Sequence, residues 1–359
     1  MLLLRIVLFL IGVSLVWRVL LSIIQTFVLP RGVPDRITRV SFLAMRRLFD
    51  LRVKKMSAYA DRDRVMALYS PVTLIVLEGV WLLLVLGAYV LMYWSIGVGS
   101  WKTAFHDSGS SLFTLGFAQP GGQLGTALAF SEAGLGLLIA ALLIAYLPAM
   151  YTAWSRRETS VALLEVRAGS PPSALEMIVR FNRLERLGRL DELWPRWEEW
   201  FVDLEESHTS LAPLAFFRSH QPNRSWVTSA GTILDAAALV SSTLDVPRNP
   251  DRELCLRAGY LALREVAAFF RIQFDPDPNP TDSISITRDD FDYVYDQMEK
   301  EGVPLKPDRD KAWHQFAGWR VNYDTVLLAL ADLTMAPEAP WSTDRLPGHE
   351  HIKVKLRRG

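Results

Sequence analysis

Three long apolar blocks occupy the first 151 residues, and helical alternation occupies the rest. Leu2 to Leu29, Pro71 to Trp94 and Ala133 to Tyr151 are each apolar for about the roughly 20 residues that a bilayer-spanning helix needs, and each predicts one. Leu2 to Leu29 is longer than a signal-peptide core of roughly 7 to 15 residues and ends at Pro30-Arg31 with no small-residue cleavage site, which predicts a retained helix. Arg5 and Arg18 inside it predict that one face packs against other helices. Between the second and third blocks, Ile96 to Glu132 is nearly uncharged and contains the apolar run Leu112-Phe113-Thr114-Leu115-Gly116-Phe117, too short to span. That run predicts a re-entrant loop, because irregular backbone at membrane depth is tolerated only where protein or water covers it.

After Tyr151 the pattern becomes that of packed amphipathic helices. Thr152 to Ala168 continues the third block; Ser170-Pro171-Pro172 supplies a cap and first-turn prolines for a helix through about Leu187. Further helices are expected over Leu190 to Glu206, with Pro195 better placed in a first turn, and over Trp226 to Leu244, Glu253 to Arg271, Arg288 to Glu301 and Lys311 to Leu333. Trp194, Trp197 and Trp200 recur on one side of a helix and are expected in a core. The fold class is therefore all-α, an integral membrane protein with three transmembrane helices, a re-entrant segment and a helical cytoplasmic domain. The expected divisions are 1–30 for the first span, 31–70 for a basic interfacial segment, 71–157 for the central module, 158–336 for the helical domain and 337–359 for a tail.

Charge orients this arrangement. Residues 31 to 64 hold ten arginines and lysines, from Arg31 to Arg64, against Asp35, Asp50, Asp61 and Asp63, and Arg156-Arg157 follows the third block. Short basic loops stay in the cytoplasm, so the N-terminus is expected outside and the C-terminal domain in the cytoplasm of a plasma or inner membrane. Phe42, Met45, Leu48, Phe49 and Val53 recur at helical spacing beside the cations, which predicts either a helix lying on the inner leaflet or a solvated basic loop. Glu78, near the cytoplasmic end of the second span, is expected to pair with an arginine of this segment. The chain has no net charge, which gives no pointer to nucleic acid. Its single cysteine, Cys255, excludes an intramolecular disulfide and fits a small core residue.

The order of outer helix, short amphipathic segment, Thr114-Leu115-Gly116-Phe117-Ala118 and inner helix resembles the pore module of the potassium channel superfamily, whose signature is Thr-x-Gly-Tyr/Phe-Gly-Asp. The resemblance covers roughly Pro71 to Arg157 and implies a homotetramer around one pore, in which backbone carbonyls replace the hydration shell of a permeant monovalent cation, K+. Carried over by position, Thr114 supplies the innermost ligands and Leu115, Gly116 and Phe117 the carbonyls above it, with Thr103 to Phe113 as the pore helix. Ala118 stands where the family has its second glycine, and a Cβ there costs about 1 kcal/mol in a left-handed conformation. Gln119 replaces the aspartate of the outer mouth, and His106, Asp107, Ser108 and Gly109 are poor helix formers within the expected pore helix.

Support and gating residues follow from the same placement. Glu132 either caps the third span, the simpler reading, or sits behind the loop as a buried support. Gly134 and Gly136 are gating-hinge candidates or close-packing positions, and Pro148 is expected to kink the inner end. No catalytic constellation, cofactor motif or resident metal site is expected. Asp275, Asp277, Asn279 and Asp282 lack the glycine and closing glutamate of a calcium loop. His208, His220 and His314 lack metal-ligand spacing and are expected as capping or surface residues, and His349-Glu350-His351 lies in the tail. Two functions are carried forward. One is a tetrameric potassium-like cation channel gated by its helical domain in response to a cytoplasmic ligand or protein. The other is a non-conducting membrane scaffold or receptor.

Overall fold

The computed structural model describes residues 2–29 and 35–347. Those residues are helical with no strand, and their only bridge pairs Leu244 with Leu305. Three helical segments are long and apolar enough to cross a membrane: 2–28, 59–95 and 122–168. The chain divides into two units, 1–57 with 64–152, and 58–63 with 153–359.

In the first unit, α1 (Leu2–Ile23) runs into a π-helical turn, Ile24–Val28, and packs along α4 (Tyr69–Ser95). The two backbones approach closely at Gly12, where a Cβ would lie 2.7 Å from the carbonyl oxygen of Ala88. Only a residue without a side chain allows that distance, the usual device of helices that gain nothing hydrophobic by meeting in lipid. Arg5 lies over the Trp94 ring at 5.9 Å, so this cation does face a neighbouring helix. The basic segment forms α2 (Arg36–Val53) and α3 (Tyr59–Ala67), and α2 is capped by Asp35 through the backbone N–H groups of Ile37 and Thr38. Phe42 and Phe49 turn edge-on to Tyr69, whereas Leu48, expected beside them, is exposed. Glu78 has no arginine partner among the described residues. Of the α2 cations, Arg46 pairs with Asp50 within its own helix, and Arg36, Arg39, Arg47 and Arg52 have no acidic partner among the described residues.

The helix expected from Ala133 begins eleven residues earlier, as α6 (Gly122–Ala168), and runs without a break through Pro148 into the second unit. Between α4 and α6 lies α5 (Trp101–Leu112). The Trp94 and Trp101 rings stack at 4.8 Å across the turn joining α4 to α5.

The second unit is built on α9 (Trp226–Thr243), in which every residue except Ser241 is buried. A helix apolar on all sides must be surrounded. α7 (Ala174–Arg183), α10 (Pro250–Phe269), α12 (Arg309–Arg320) and α13 (Asp324–Thr334) all pack on it. α8 (Trp194–Ser210), with Pro195 in its first turn, brings Trp194, Trp197, Trp200 and Phe201 into the core, and α11 (Arg288–Lys300) adds Phe291 and Met298. Cys255 is buried there too, and burial pushes its thiol pKa up.

Three expectations about this unit need correction. The cap of α7 is Ser173, not Ser170, because the two prolines precede the helix instead of entering it. Lys311 to Leu333 is two helices, broken at Val321–Tyr323. The break lets Arg320 bond both Asp235 and Asp324 at 2.6 Å while the Tyr323 hydroxyl donates to Asp235 at 2.8 Å, all inside the core. Finally, the chain beyond Pro337 is not a free tail as far as Leu346: Trp341 and Asp344 are buried, and the Trp341 carbonyl accepts from Arg320 at 2.7 Å. His349, Glu350 and His351 lie outside the described residues.

Candidate functional site

The residues singled out for chemistry gather around the C-terminal end of α5. This helix starts at Ser100, whose hydroxyl accepts from the Thr103 N–H at 3.2 Å. It passes unbroken through His106, Asp107, Ser108 and Gly109. Tertiary contacts override their weak propensity, because Asp107 and Ser108 are buried and Ser108 Oγ donates to Glu132 Oε1 at 2.5 Å.

The end of α5 is closed by two backbone bonds. Thr114 N–H donates to Ser111 O at 3.0 Å and Leu115 N–H to Ser110 O at 2.8 Å. This is the Schellman arrangement, and it puts Thr114 in the left-handed position, at φ 54°, that glycine usually fills. The next left-handed residue is Gly116, at φ 73°. Ala118 is not left-handed, so the backbone penalty expected there falls on Thr114 instead. Ala118 is held by one side chain: its N–H donates to Ser110 Oγ at 3.0 Å, and that hydroxyl donates to the Ala118 carbonyl at 3.1 Å. The Ser110 hydroxyl thus braces the returning strand of the loop against the helix that launches it.

Thr114, Leu115, Gly116 and Phe117 are exposed within the single chain, with Leu115 and Phe117 each 63% accessible. Phe117 meets the edge of the His106 ring at 6.1 Å, and Gln119 is exposed. None of the loop side chains from Thr114 to Gln119 is ionisable, so the chemistry the loop offers is that of backbone carbonyls, one hydroxyl and the Gln119 carboxamide.

Glu132 does not cap α6, which starts ten residues before it. It is fully buried behind α5, accepting from Ser108 and, at 3.1 Å, from the Tyr93 hydroxyl of α4. One carboxylate therefore ties three helices together. Nearby, Tyr89 and Ser131 hydroxyls bond at 2.8 Å, and Asp107 Oδ2 is buried with no partner among the described residues.

The two glycines of α6 separate. A Cβ on Gly136 would lie 2.1 Å from the Leu112 carbonyl, so this residue is where the end of α5 rests on α6. Gly134 has nothing within 4 Å of its Cβ direction. Pro148 leaves α6 continuous, and its carbonyl accepts from Thr152 Oγ1 at 2.9 Å. Sequence reasoning missed Ser108, Ser110 and Tyr93. The available signal was the serine-rich stretch Ser108-Gly109-Ser110-Ser111 inside an expected helix, since a hydroxyl buried there must find a partner.

His208 lies elsewhere, in the second unit, and is buried, not a surface residue. Its Nδ1 is 2.9 Å from the Leu204 carbonyl and must donate to it, so Nε2 accepts from Arg157 Nη1 at 3.1 Å. Burial first, then the Arg157 charge, push its pKa well below the usual imidazole range. Arg157 is fixed by the Leu214 and Phe217 carbonyls and by Glu158 at 2.8 Å. The set is structural, with no room for a ligand between its members.

Compared with known proteins, the chain matches no family model, no curated protein and no solved structure.

Proposed function

We propose that this chain is a subunit of a homotetrameric, potassium-like cation channel of the cell membrane, with 114–118 as its filter and the second unit as a cytoplasmic gating domain. One observation carries the reading. A twelve-residue helix enters between two apolar helices and ends in a short, non-ionisable loop held by Ser110 and, through α5, by Glu132. Such a loop in hydrocarbon needs cover. Four copies around an axis would cover Leu115 and Phe117 and turn the Thr114 to Phe117 carbonyls onto a shared path. The C-terminal, negative end of α5 would favour a cation beneath them.

The test is purified protein in planar bilayers under a potassium gradient, with Gly116→Val as the comparison. The parent is expected to pass cation current and the variant to lose it or change its selectivity. No current over a wide range of voltage and pH, together with a monomer in native mass spectrometry, overturns the reading.

The left-handed Thr114 favours a second reading, a non-conducting membrane scaffold or receptor. The Schellman closure is complete within one chain and needs no ion to explain it. In that case the loop only returns the chain to α6, and the second unit holds the activity.

A further inference from the structure

α2 is anchored on one side and unpartnered on the other. Ser22, in the last turns of α1, donates to Asp35 at 2.6 Å, Thr26 and Thr38 hydroxyls bond at 2.8 Å, and the Tyr69 hydroxyl, at the start of α4, donates to the Phe42 carbonyl at 3.1 Å. These bonds hold α2 level with the end of one apolar helix and the beginning of another, which is where a bilayer meets water.

The outward side carries two kinds of side chain that do not belong together in either phase. Val40, Leu43, Leu48 and Leu51 are 64, 51, 59 and 62% exposed. Arg36, Arg39, Arg47, Arg52, Lys54 and Lys55 are exposed as well. At 100° per residue, Arg36, Arg39, Val40, Leu43, Arg47 and Leu51 share one arc of the helix. The acidic residues that could neutralise them are used: Asp35 accepts from Ser22 and the helix N-terminus, and Asp50 is paired with Arg46. None of the six exposed cations has an acidic partner among the described residues.

Water does not favour four exposed aliphatic side chains on one helix, and hydrocarbon does not accept six unpaired cations. The headgroup region accepts both, burying the aliphatic groups at the acyl boundary while guanidinium and ammonium groups meet phosphate.

We propose that the outward face of α2 is a binding site for anionic glycerophospholipid headgroups, taken from the leaflet in which the start of α4 lies. The interleaved valine and leucines insert beside the acyl chains. Arg36, Arg39 and Arg47 on that arc bond the phosphodiester oxygens, with Arg52 on its flank as a further cation, and bidentate guanidinium geometry suits that group. The site rests on the membrane placement and not on conduction.

The full chain, purified in detergent, is titrated with phosphatidylglycerol and with phosphatidylcholine, and bound lipids are counted by native mass spectrometry. The parent is expected to retain phosphatidylglycerol in preference to phosphatidylcholine. The quadruple variant R36Q/R39Q/R47Q/R52Q, which breaks no described pairing, is expected to lose that preference, with phosphatidylglycerol affinity falling at least about tenfold. A second variant, Leu43→Ser with Leu51→Ser, is expected to weaken both lipids while keeping the anionic preference.

Equal phosphatidylglycerol binding by parent and quadruple variant overturns the proposal. So does full displacement by millimolar inorganic phosphate, which would mark a soluble-anion site. Failure of the membrane placement would show separately and earlier, as recovery of the chain in the soluble fraction without detergent. A chain that binds the lipid but passes no current would leave this site standing and remove the channel.

Discussion

Ser108 and Glu132, 24 residues apart, meet at 2.5 Å in a position where neither touches solvent. The same side chain accepts from Tyr93, so its removal leaves two buried hydroxyls with only their longer second contacts, Ser108 to the Leu86 carbonyl at 3.2 Å and Tyr93 to Ser111 Oγ at 3.5 Å. Glu132→Ala is expected to destabilise the first unit by about 3 kcal/mol and Ser108→Ala by about 1 kcal/mol. Thermal unfolding in detergent measures both, and equal small losses would show that the bond is idle.

Gly136 and Gly134 give opposite expectations from the same substitution. Gly136→Ala puts a methyl group 2.1 Å from the Leu112 carbonyl, so α5 must move, at a cost of about 1–3 kcal/mol. Gly134→Ala meets nothing in the single chain and gains helix propensity. If the two variants unfold at the same temperature, the end of α5 does not rest on α6 at this residue. In the proposed tetramer, a deficit of Gly134→Ala in assembly, not in folding, would place Gly134 at the subunit contact.

The neutral His208 predicts an acid-sensitive second unit. Its folded pKa lies below the unfolded value near 6.5, so the unfolded chain binds the extra proton first. The stabilisation is complete above about pH 6.5 and is lost as pH falls toward the folded value, at up to about 1.4 kcal/mol per pH unit. Protonation would put a second positive charge against Arg157 and remove the Nε2 acceptor. His208→Gln is expected to flatten the dependence of the unfolding temperature between pH 7 and 5. A slope identical to the parent's would assign the sensitivity to other groups.

Arg320 holds Asp235 and Asp324 in a core with no water-exposed edge. Arg320→Met is expected to cost about 3–5 kcal/mol by leaving two carboxylates uncompensated. Replacing all three with Met, Leu and Leu should recover part of that loss, since the charges themselves need not be net stabilising, while the Ser285 N–H and hydroxyl and the Tyr323 hydroxyl lose their carboxylate acceptors. A triple variant no more stable than Arg320→Met would mean that the ion pairs fix the turn between α12 and α13 and are not interchangeable with apolar packing.

The three apolar blocks and most helices of the second unit were legible because hydrophobic length and period are local properties of the chain. Pro195 in a first turn and the buried tryptophans of α8 follow directly from them. What could not be read depended on partners distant in sequence. The start of α6 at Gly122 was hidden because Gly121, Gly122 and Gly125 on one side and Ser131-Glu132 on the other cut the short apolar run Ala127 to Phe130 off from the third block. Glu132 was assigned by its distance from an expected helix end, and when that end moved its role moved too. The break after Arg320 has one weak local mark, Asn322, whose amide donates to the Gly318 and Trp319 carbonyls, while the Arg320 partner Asp235 lies 85 residues away. The Schellman closure at Thr114 carries threonine where sequence rules look for glycine.

The indole N–H of Trp81 donates to Ser22 Oγ at 3.0 Å, and Ser22 in turn donates to Asp35 at 2.6 Å. α4, α1 and the start of α2 are thus joined by a single file of donors ending on one carboxylate. Lipid-facing helices slide past one another at little hydrophobic cost, since hydrocarbon on either side is equivalent. This file acts as an index mark. A shift of α1 by one residue along α4 would carry Ser22 away from the indole and Asp35 together, so the register of the three helices is decided by polar atoms that hydropathy does not weigh.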